Sequence, residues 1–565
     1  MVCLEIALTS HAFLSAIEDR ASWSSSRPQK KDRLLVKLAE RLTRLQPDID
    51  AYRHRSPFIR GLSLVDAEGT PLHFEIETHP HVLHLRTGLG DFGLVFQDRC
   101  TLSFGLPPQV TAGLRFHVSP QFWEETENGG ALKAVRNLAY ASNGEPVHNR
   151  IIPDEWGYTV EFIVRAGGDC AIILNAQDEQ ALIPDPRSFS AAYAAAEARW
   201  RGWFGRVPPV AEEYRLTYAY AWWIMANNLI SPRGRVAYEA MTPSKTNYVG
   251  LWLWDSAMLA CQLSDGMLPD AVYDEGIIAE IDHPVRAQVT KPPILAWAAL
   301  KLHEADPDLD FLQELYVPLV RWNAWWFSMN DDDVDGLAQY NHPYSSGLDD
   351  SPLWDGGMPV ESPGLNTYLC VQMGSLAVMA EALGMNAEGA MWRRRAAAIV
   401  RRMIESMWDE QAGLFHALRD EAPIPVVVPF NLYPLWTGRL PDEIRGRLIA
   451  HLTNPEEFWG KYIIPTVARD DPHYDPEMMW RGPVWANINY FVEAMHQVGE
   501  HELARSLRGR TLRLIMNQPS IYEYYSSETG QPPATAADTF GWTAAVFVDL
   551  ASRPARRRTT DESLV

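Results

Sequence analysis

Cysteine is scarce: Cys3, Cys100, Cys170, Cys261 and Cys370 are odd in number, lie far apart and form no C-x-x-C pair. A disulfide framework and the paired-thiol motifs of zinc and redox sites are thereby excluded, and reduced, mostly buried thiols are expected. Positive charge is also in short supply, 50 Lys plus Arg standing against 72 Asp plus Glu for a formal net charge of -22. Diffuse attraction to phosphate backbones or anionic lipid is disfavoured, so a small neutral substrate is expected, with neither nucleic acid nor a membrane as partner. No apolar run has the length of a membrane span, and the first twenty residues carry Glu5 without a basic leader. A cytoplasmic location follows as an expectation. H-E-x-x-H, G-x-S-x-G and P-loop motifs are missing, and the His residues do not cluster at ligand spacings. Acid–base chemistry therefore falls to carboxylates.

What is present is core-forming material: 47% hydrophobic and 22% charged residues, with a mean hydropathy of -0.21, in a chain long enough for more than one domain. Residues 1–57 read as helical or irregular. From 58 to 187 brief alternating apolar segments, at 73–77, 82–86, 94–97 and 158–164, are punctuated by Gly, Pro and Asn, the pattern of an antiparallel β-sandwich. An Ala-rich stretch, stopped by Gly205, Pro208 and Pro209, reads as a linker helix over 188–206. Helical spacing then holds through 207–553, at 212–229, 256–262, 293–304, 311–327, 367–383, 388–407, 441–452, 484–498, 501–516 and 542–551. Residues 554–565 read as a disordered tail.

About ten to twelve helices in series, with long loops after every second one, predict antiparallel hairpins closed into a ring. The expected fold class is mainly α, a six-hairpin (α/α)6 toroid preceded by the β-sandwich-like domain. A homo-oligomer is compatible with the sequence. Sixteen of the 21 tryptophans lie after residue 211, many in loops where core packing does not require them. Exposed indoles there suit stacking on sugar rings.

Two motifs are set aside on their context. The run from Gly88 to Gly93, GLGDFG, fits the dinucleotide pattern G-x-G-x-x-G, but a strand-like stretch follows where a helix should open, so a glycine hairpin is expected. The run Asp331, Asp332, Asp333, Val334, Asp335, Gly336 opens like a calcium loop, yet the twelfth position is His342 rather than a bidentate Glu. It also spells D-D-x-x-D, the magnesium-diphosphate motif of isoprenoid enzymes, but Gly336 places it in a loop. A solvated acidic turn is expected.

A stronger constellation is the loop from Tyr344 to Asp355, YSSGLDDSPLWD, with three acids, a glycine turn and an indole. Taken alone, an N-cap cluster explains it equally well. Glu523 changes its weight, because that acid lies among Tyr522, Tyr524 and Tyr525, an aromatic surround in which a carboxyl group can be tuned. Two distant acids in aromatic loops suggest glycoside hydrolysis. A glycosidic oxygen leaves poorly unless protonated, and water attacks poorly unless a second carboxylate takes its proton.

The series Trp252-Leu253-Trp254-Asp255-Ser256, Asp335-Gly336-Leu337, His342-Pro343-Tyr344, Gly347 to Pro352, Trp480 to Asn487 and the stretch from Glu523 to Trp542 resembles glycoside hydrolase family 63. Within that family it resembles the bacterial mannosylglycerate and glucosylglycerate hydrolases. The resemblance covers roughly residues 240–550 and keeps the motifs in family order. It implies an inverting exo-α-glycosidase on an α/α toroid that removes a terminal α-glucosyl or α-mannosyl residue, without a metal or cofactor in bond cleavage. Asp349 matches the general acid and Glu523 the general base. Trp252, Trp254, Asp255, Trp354, Trp480, Arg481, Trp485 and Trp542 match positions lining the sugar subsite, with Tyr248, Gln288 and Gly347 as further contacts. Any of these indoles and Arg481 serves a structural role equally well. Gln288 and Lys291 open a helix whose N-terminus faces the pocket or is simply capped by the prolines that follow.

Two departures bear on the substrate: Ser345-Ser346-Gly347 stands where the family commonly has Glu-Ser-Gly, and Leu353 where a basic residue is frequent. The rival readings are an inverting disaccharide phosphorylase, in which phosphate replaces activated water, and a non-catalytic carbohydrate-binding, lyase or isoprenoid toroid.

Overall fold

The computed structural model describes residues 4–6, 34–38 and 59–556 apart from 99–100, 119, 121, 134–136, 156, 178–185, 231–239, 242 and 245–290. The chain divides into two compact units, one largely Asp48–Pro209 and the other largely Val210–Ser244 and Gly250–Val565.

The first unit is a pair of antiparallel sheets. One runs in spatial order Leu4–Ile6, Leu34–Leu38, Ile59–Asp66, Thr111–Val118, Gly157–Arg165, Glu145–Asp154. The other runs Phe74–Thr78, Leu83–Thr87, Gly90–Phe96, Thr101–Leu106, Cys170–Gln177, Asn137–Ser142, Gly129–Lys133, Phe122–Thr126. Alternate residues of each strand face inward, so Leu64, Leu114, Phe116 and Phe162 of one sheet share a core with Leu85, Phe104, Leu138 and Leu174 of the other. The expected sandwich is present. The helical or irregular start is corrected where residues of 1–57 are described: both segments are strands, paired to each other and onward to Ile59–Asp66. Leu34, Leu35, Val36 and Leu38 offer too short an apolar run for periodicity to separate strand from helix.

The glycine run is the expected hairpin, Thr87 pairing with Gly90 across the turn residues Gly88 and Leu89, with Gly90 at φ +122. Gly93 and Gly105 are cross-strand partners, and a Cβ on either would collide with the Phe189 ring. Their bare backbone seats the helix Phe189–Phe204, whose Ala192 and Ala196 bury against Val82 and Val95.

Helices dominate the second unit. Leu295–Ala305, Leu309–Met329, Pro363–Ala382 and Asn386–Met407 follow one another and pack as neighbours, and Val492–Gln497 packs on His501–Met516. The helix Arg215–Asn228 packs on Gly541–Arg556. Asn228 Nδ2 donates to the Thr539 carbonyl at 3.3 Å, and Tyr220 and Ser520 hydroxyls lie 2.8 Å apart. The first helix of the unit is thus clasped to the last, which runs past residue 553 to Arg556.

One helix expectation holds only in part. The 484–498 stretch is a two-residue strand, Val484–Trp485, followed by the short helices Ala486–Asn489 and Val492–Gln497. Its first residues pair with Tyr524–Tyr525 instead of coiling, because Trp485 stacks on Tyr524 across that ladder. No helix among the described residues is long and apolar enough to cross a membrane.

Candidate active site

Asp349 is presented by a loop that folds on itself. The turn Pro343–Ser346 ends at Gly347, which takes the left-handed conformation at φ +77, where a side chain would be strained. Ser346 Oγ donates to the Pro343 carbonyl at 2.6 Å and accepts from Leu348 N–H at 3.0 Å. The second turn, Pro352–Trp354, returns the chain so that Trp354 Nε1 donates to the Leu348 carbonyl at 2.6 Å. Leu348 and Leu353 are buried, and Trp354 packs edge-on against Tyr340 at 5.7 Å. The apolar residues are the anchor, and the acids between them are held at the surface of that anchor.

Each of the three acids has a different partner. Asp349, its side chain 30% exposed, has Oδ1 3.4 Å from Lys291 Nζ. Asp350 accepts the Trp480 backbone N–H at 2.9 Å, and burial holds its carboxyl above the usual range. Asp355 takes both terminal nitrogens of Arg481 in a two-pronged ion pair, which pushes the guanidinium further up.

Glu523 arrives from a segment near the end of the unit's sequence. It is buried at 3% exposure, immediately ahead of the strand Tyr524–Tyr525. Its backbone N–H donates to the Ala537 carbonyl at 2.8 Å, and its Oε2 accepts the Ala537 N–H at 3.1 Å, so main chain and side chain are both fixed by one neighbour.

An aromatic bridge links the two loops. Trp480, whose N–H serves Asp350, stacks on Trp485 at 3.6 Å and 11°. Trp485 in turn stacks on Tyr524 at 4.9 Å and lies 6.2 Å from Trp542, while its Nε1 donates to the Met479 carbonyl. Three segments remote in sequence, one bearing Asp349, one Arg481 and Trp485, and one Glu523 and Trp542, therefore meet one indole stack.

The expected residues divide into two groups. Asp349, Gly347, Trp354, Trp480, Arg481, Trp485, Glu523 and Trp542 belong to this connected assembly. Tyr248, Trp252, Trp254, Asp255 and Gln288 lie outside the described residues, as do the helix expected at 256–262 and Cys3, Cys100 and Cys261. Among the first group, the expectation of exposed indoles is corrected: Trp480 and Trp485 are each 2% exposed and Trp542 is 4%. They bury one another's faces, and an indole that holds two loops together has little face left for solvent. Arg481 is likewise directed at Asp355. Lys291, expected to open a helix at the pocket, lies ahead of the helix Leu295–Ala305 and reaches the acid loop instead, and the separate tasks of Asp350 and Asp355 had no sequence signal. The adjacency of three acids was visible, but their partners were not.

The 331–336 run is an acidic turn, as expected. Oxygens of Asp331, Asp333 and Asp335 lie within 4.8 Å of one another. Burial first, and then these three acids, push Glu361 up to about 7. Cys170 and Cys370 are free and buried, as the reduced-thiol reading expected.

The model of the mannosylglycerate hydrolase MGH1-like glycoside hydrolase domain matches residues 252–543. The mannosylglycerate hydrolase of Thermus thermophilus is 27% identical over 399 residues, which cover 54% of this chain and 94% of that protein. The crystal structure of a GH63 mannosylglycerate hydrolase from Thermus thermophilus in complex with glucose superposes with a TM-score of 0.51 at 22% identity, covering 59% of this chain and 99% of that one. A bacterial glucoamylase complexed with acarbose superposes with a TM-score of 0.57 at 12% identity over 87% of this chain and 88% of that one, a likeness of fold.

Proposed function

Because the chain belongs to the mannosylglycerate hydrolase MGH1-like family of glycoside hydrolases, within family 63, we propose that Asp349 and Glu523 are the acid and base of an inverting exo-α-glycosidase. Asp349 gives its proton to the glycosidic oxygen as the bond to the anomeric carbon breaks and the electron pair leaves with the aglycone. Glu523 takes a proton from the water that attacks the opposite face, so an α-glycoside yields the β-anomer first. Inversion asks for carboxyl groups about 6.5 to 9.5 Å apart, leaving room for that water. The substrate class is a small α-mannoside or α-glucoside, glycosyl glycerates foremost, in keeping with what the relatives are named for.

The observation that carries the pairing is the aromatic bridge: Asp350 to Trp480, Trp480 to Trp485, Trp485 to Tyr524 beside Glu523. Two acids far apart in sequence are tied to one rigid element, which is what a two-carboxylate mechanism needs. The helical unit, 207–553, is read as an (α/α)6 toroid, supported by its successive helix neighbours and by the first helix clasped to the last. The 58–187 sandwich precedes it through the 188–206 helix. A reducing, cytoplasmic setting is supported by the unpaired, buried Cys170 and Cys370.

The test is direct. Mannosylglycerate, glucosylglycerate and α-linked disaccharides are screened without phosphate, and NMR follows the first-formed anomer. Asp349→Ala is expected to lower kcat/KM by about 10²- to 10⁴-fold on poor leaving groups, and Glu523→Gln to abolish turnover while substrate still binds. Normal rates in either variant, or release of the α-anomer first, overturn the assignment.

A further inference from the structure

A lysine buried beside a carboxylate and a carbonyl calls for a reason, since taking an ammonium out of water is costly unless its protons find acceptors. Lys291 is 4% exposed. Its Nζ donates to the Tyr344 carbonyl at 2.7 Å and to Asp349 Oδ1 at 3.4 Å, and sits 5.9 Å from the centre of the Tyr344 ring. Pro292 and Pro293 lie ahead of the helix Leu295–Ala305 and its N-cap Ile294. They do not account for an amine carried inward to the acid loop. The guanidinium of Arg481 is engaged with Asp355, and the Asp350 carboxylate with the Trp480 N–H.

An ammonium has donors only, so the carboxyl oxygen that faces it is an acceptor. An aspartic acid that must hand on a proton therefore carries it on the other oxygen. When that proton departs, negative charge appears on a group already facing a fixed positive charge, and no solvent has to reorganise to meet it. We infer that Lys291 is the positioning residue of the general acid: it holds Oδ1 of Asp349 as the acceptor, so that the transferable proton sits on Oδ2. In the step, the proton passes from Oδ2 to the glycosidic oxygen, the C–O pair leaves with the aglycone, and Lys291 stays protonated throughout. The inference rests on Asp349 being the acid.

The experiment compares two leaving groups. An α-glycosyl fluoride needs little or no proton from the enzyme, whereas a glycosyl glycerate needs a full transfer. Lys291→Met keeps the chain length and removes the charge, and Lys291→Arg keeps the charge. In Lys291→Met, kcat on the glycerate is expected to fall by about 10- to 100-fold with KM little changed, while kcat on the fluoride changes by less than about threefold. Lys291→Arg is expected to recover part of the loss on the glycerate alone. A merely structural lysine lowers both substrates together, and that result, or an Arg variant no better than Met on the glycerate, overturns the inference.

Asp349→Asn is run in parallel. If it turns over the glycerate normally, the acid assignment itself has failed. If it loses the glycerate and keeps the fluoride while Lys291→Met treats both alike, the role of Lys291 alone has failed. Where Lys291→Met folds poorly, Lys291→Arg decides: a fluoride rate within about threefold of wild type, with any loss confined to the glycerate, supports the charge role, and a comparable collapse on both substrates overturns it.

Discussion

Two acidic loops of the helical unit, 331–335 and 349–355, both cluster aspartates and give them different partners. In the second, each carboxylate is matched to its own donor: an ammonium, a backbone N–H and a guanidinium. In the first, the carboxylates of Asp331, Asp333 and Asp335 crowd within 4.8 Å of one another, and Asp333 and Asp335 accept backbone N–H groups from the same loop. Burial and then Asp335 push Asp331 up, and Glu361 reaches about 7. The lesson is that an acid count in sequence says little about chemistry. What converts a carboxylate into a tool is a partner delivered from elsewhere in the fold.

The contrast can be broken at several points. After the proposed acid and base, the largest effect is expected at Arg481→Leu, which leaves Asp355 without its counter-charge and loosens the link between the acid loop and the indole stack. A loss of about 1 kcal/mol or less in stability is expected from breaking an ion pair whose Asp355 side chain is 47% exposed, together with a fall in kcat of about 100-fold. Chemical denaturation and steady-state kinetics read both, and a change in neither shows that the strut is ornamental.

Glu361→Gln is expected to act next, and on stability alone. The folded-state value, about 7, lies above the ordinary 4.5, so the native state binds the extra proton and stability falls as pH rises from roughly 4.5 through 7. The Gln variant escapes that loss. Its melting temperature is expected to exceed that of wild type at pH 8 by the equivalent of about 1 kcal/mol, after allowing for solvent screening, and to match it at pH 4. A gain that is equal at both pH values removes the like-charge account of this loop.

The smallest change is expected from Trp354→Phe, which keeps the ring against Tyr340 and deletes the donor to the Leu348 carbonyl. About 1 kcal/mol of stability and a several-fold loss in kcat with KM unchanged are expected. An unaltered kcat shows that the acid loop holds its shape without this bond.

Legibility in the sequence followed the range of the forces involved. The helix expected at 501–516 is His501–Met516 in the structure, and 388–407 becomes Asn386–Met407, because one apolar face and local propensity decide such segments. The 484–498 stretch has a helical pattern too, but Trp485 has a partner in Tyr524, and a cross-strand stack between distant segments outweighs local preference. The site shows the same division. The loops of Asp349 and Glu523 stood out by the residues around them and by the family resemblance, and the structure ties both to one indole stack, whereas Lys291 was ambiguous, since a lysine beside prolines gives no sign of whether its amine turns outward or inward. The burial of Trp480, Trp485 and Trp542 was equally hidden, because tryptophan suits a sugar face and another tryptophan alike.

The clasp between Arg215–Asn228 and Gly541–Arg556 has a consequence for biosynthesis. The early helix leaves the ribosome long before the surface that covers it has been translated. At about 5–20 residues per second the wait is on the order of 15–60 s. Through that interval Tyr218, Trp222 and Ile224, buried in the finished protein, need a temporary cover, and a nascent chain stalled before residue 541 is the form in which chaperone dependence is expected to be greatest.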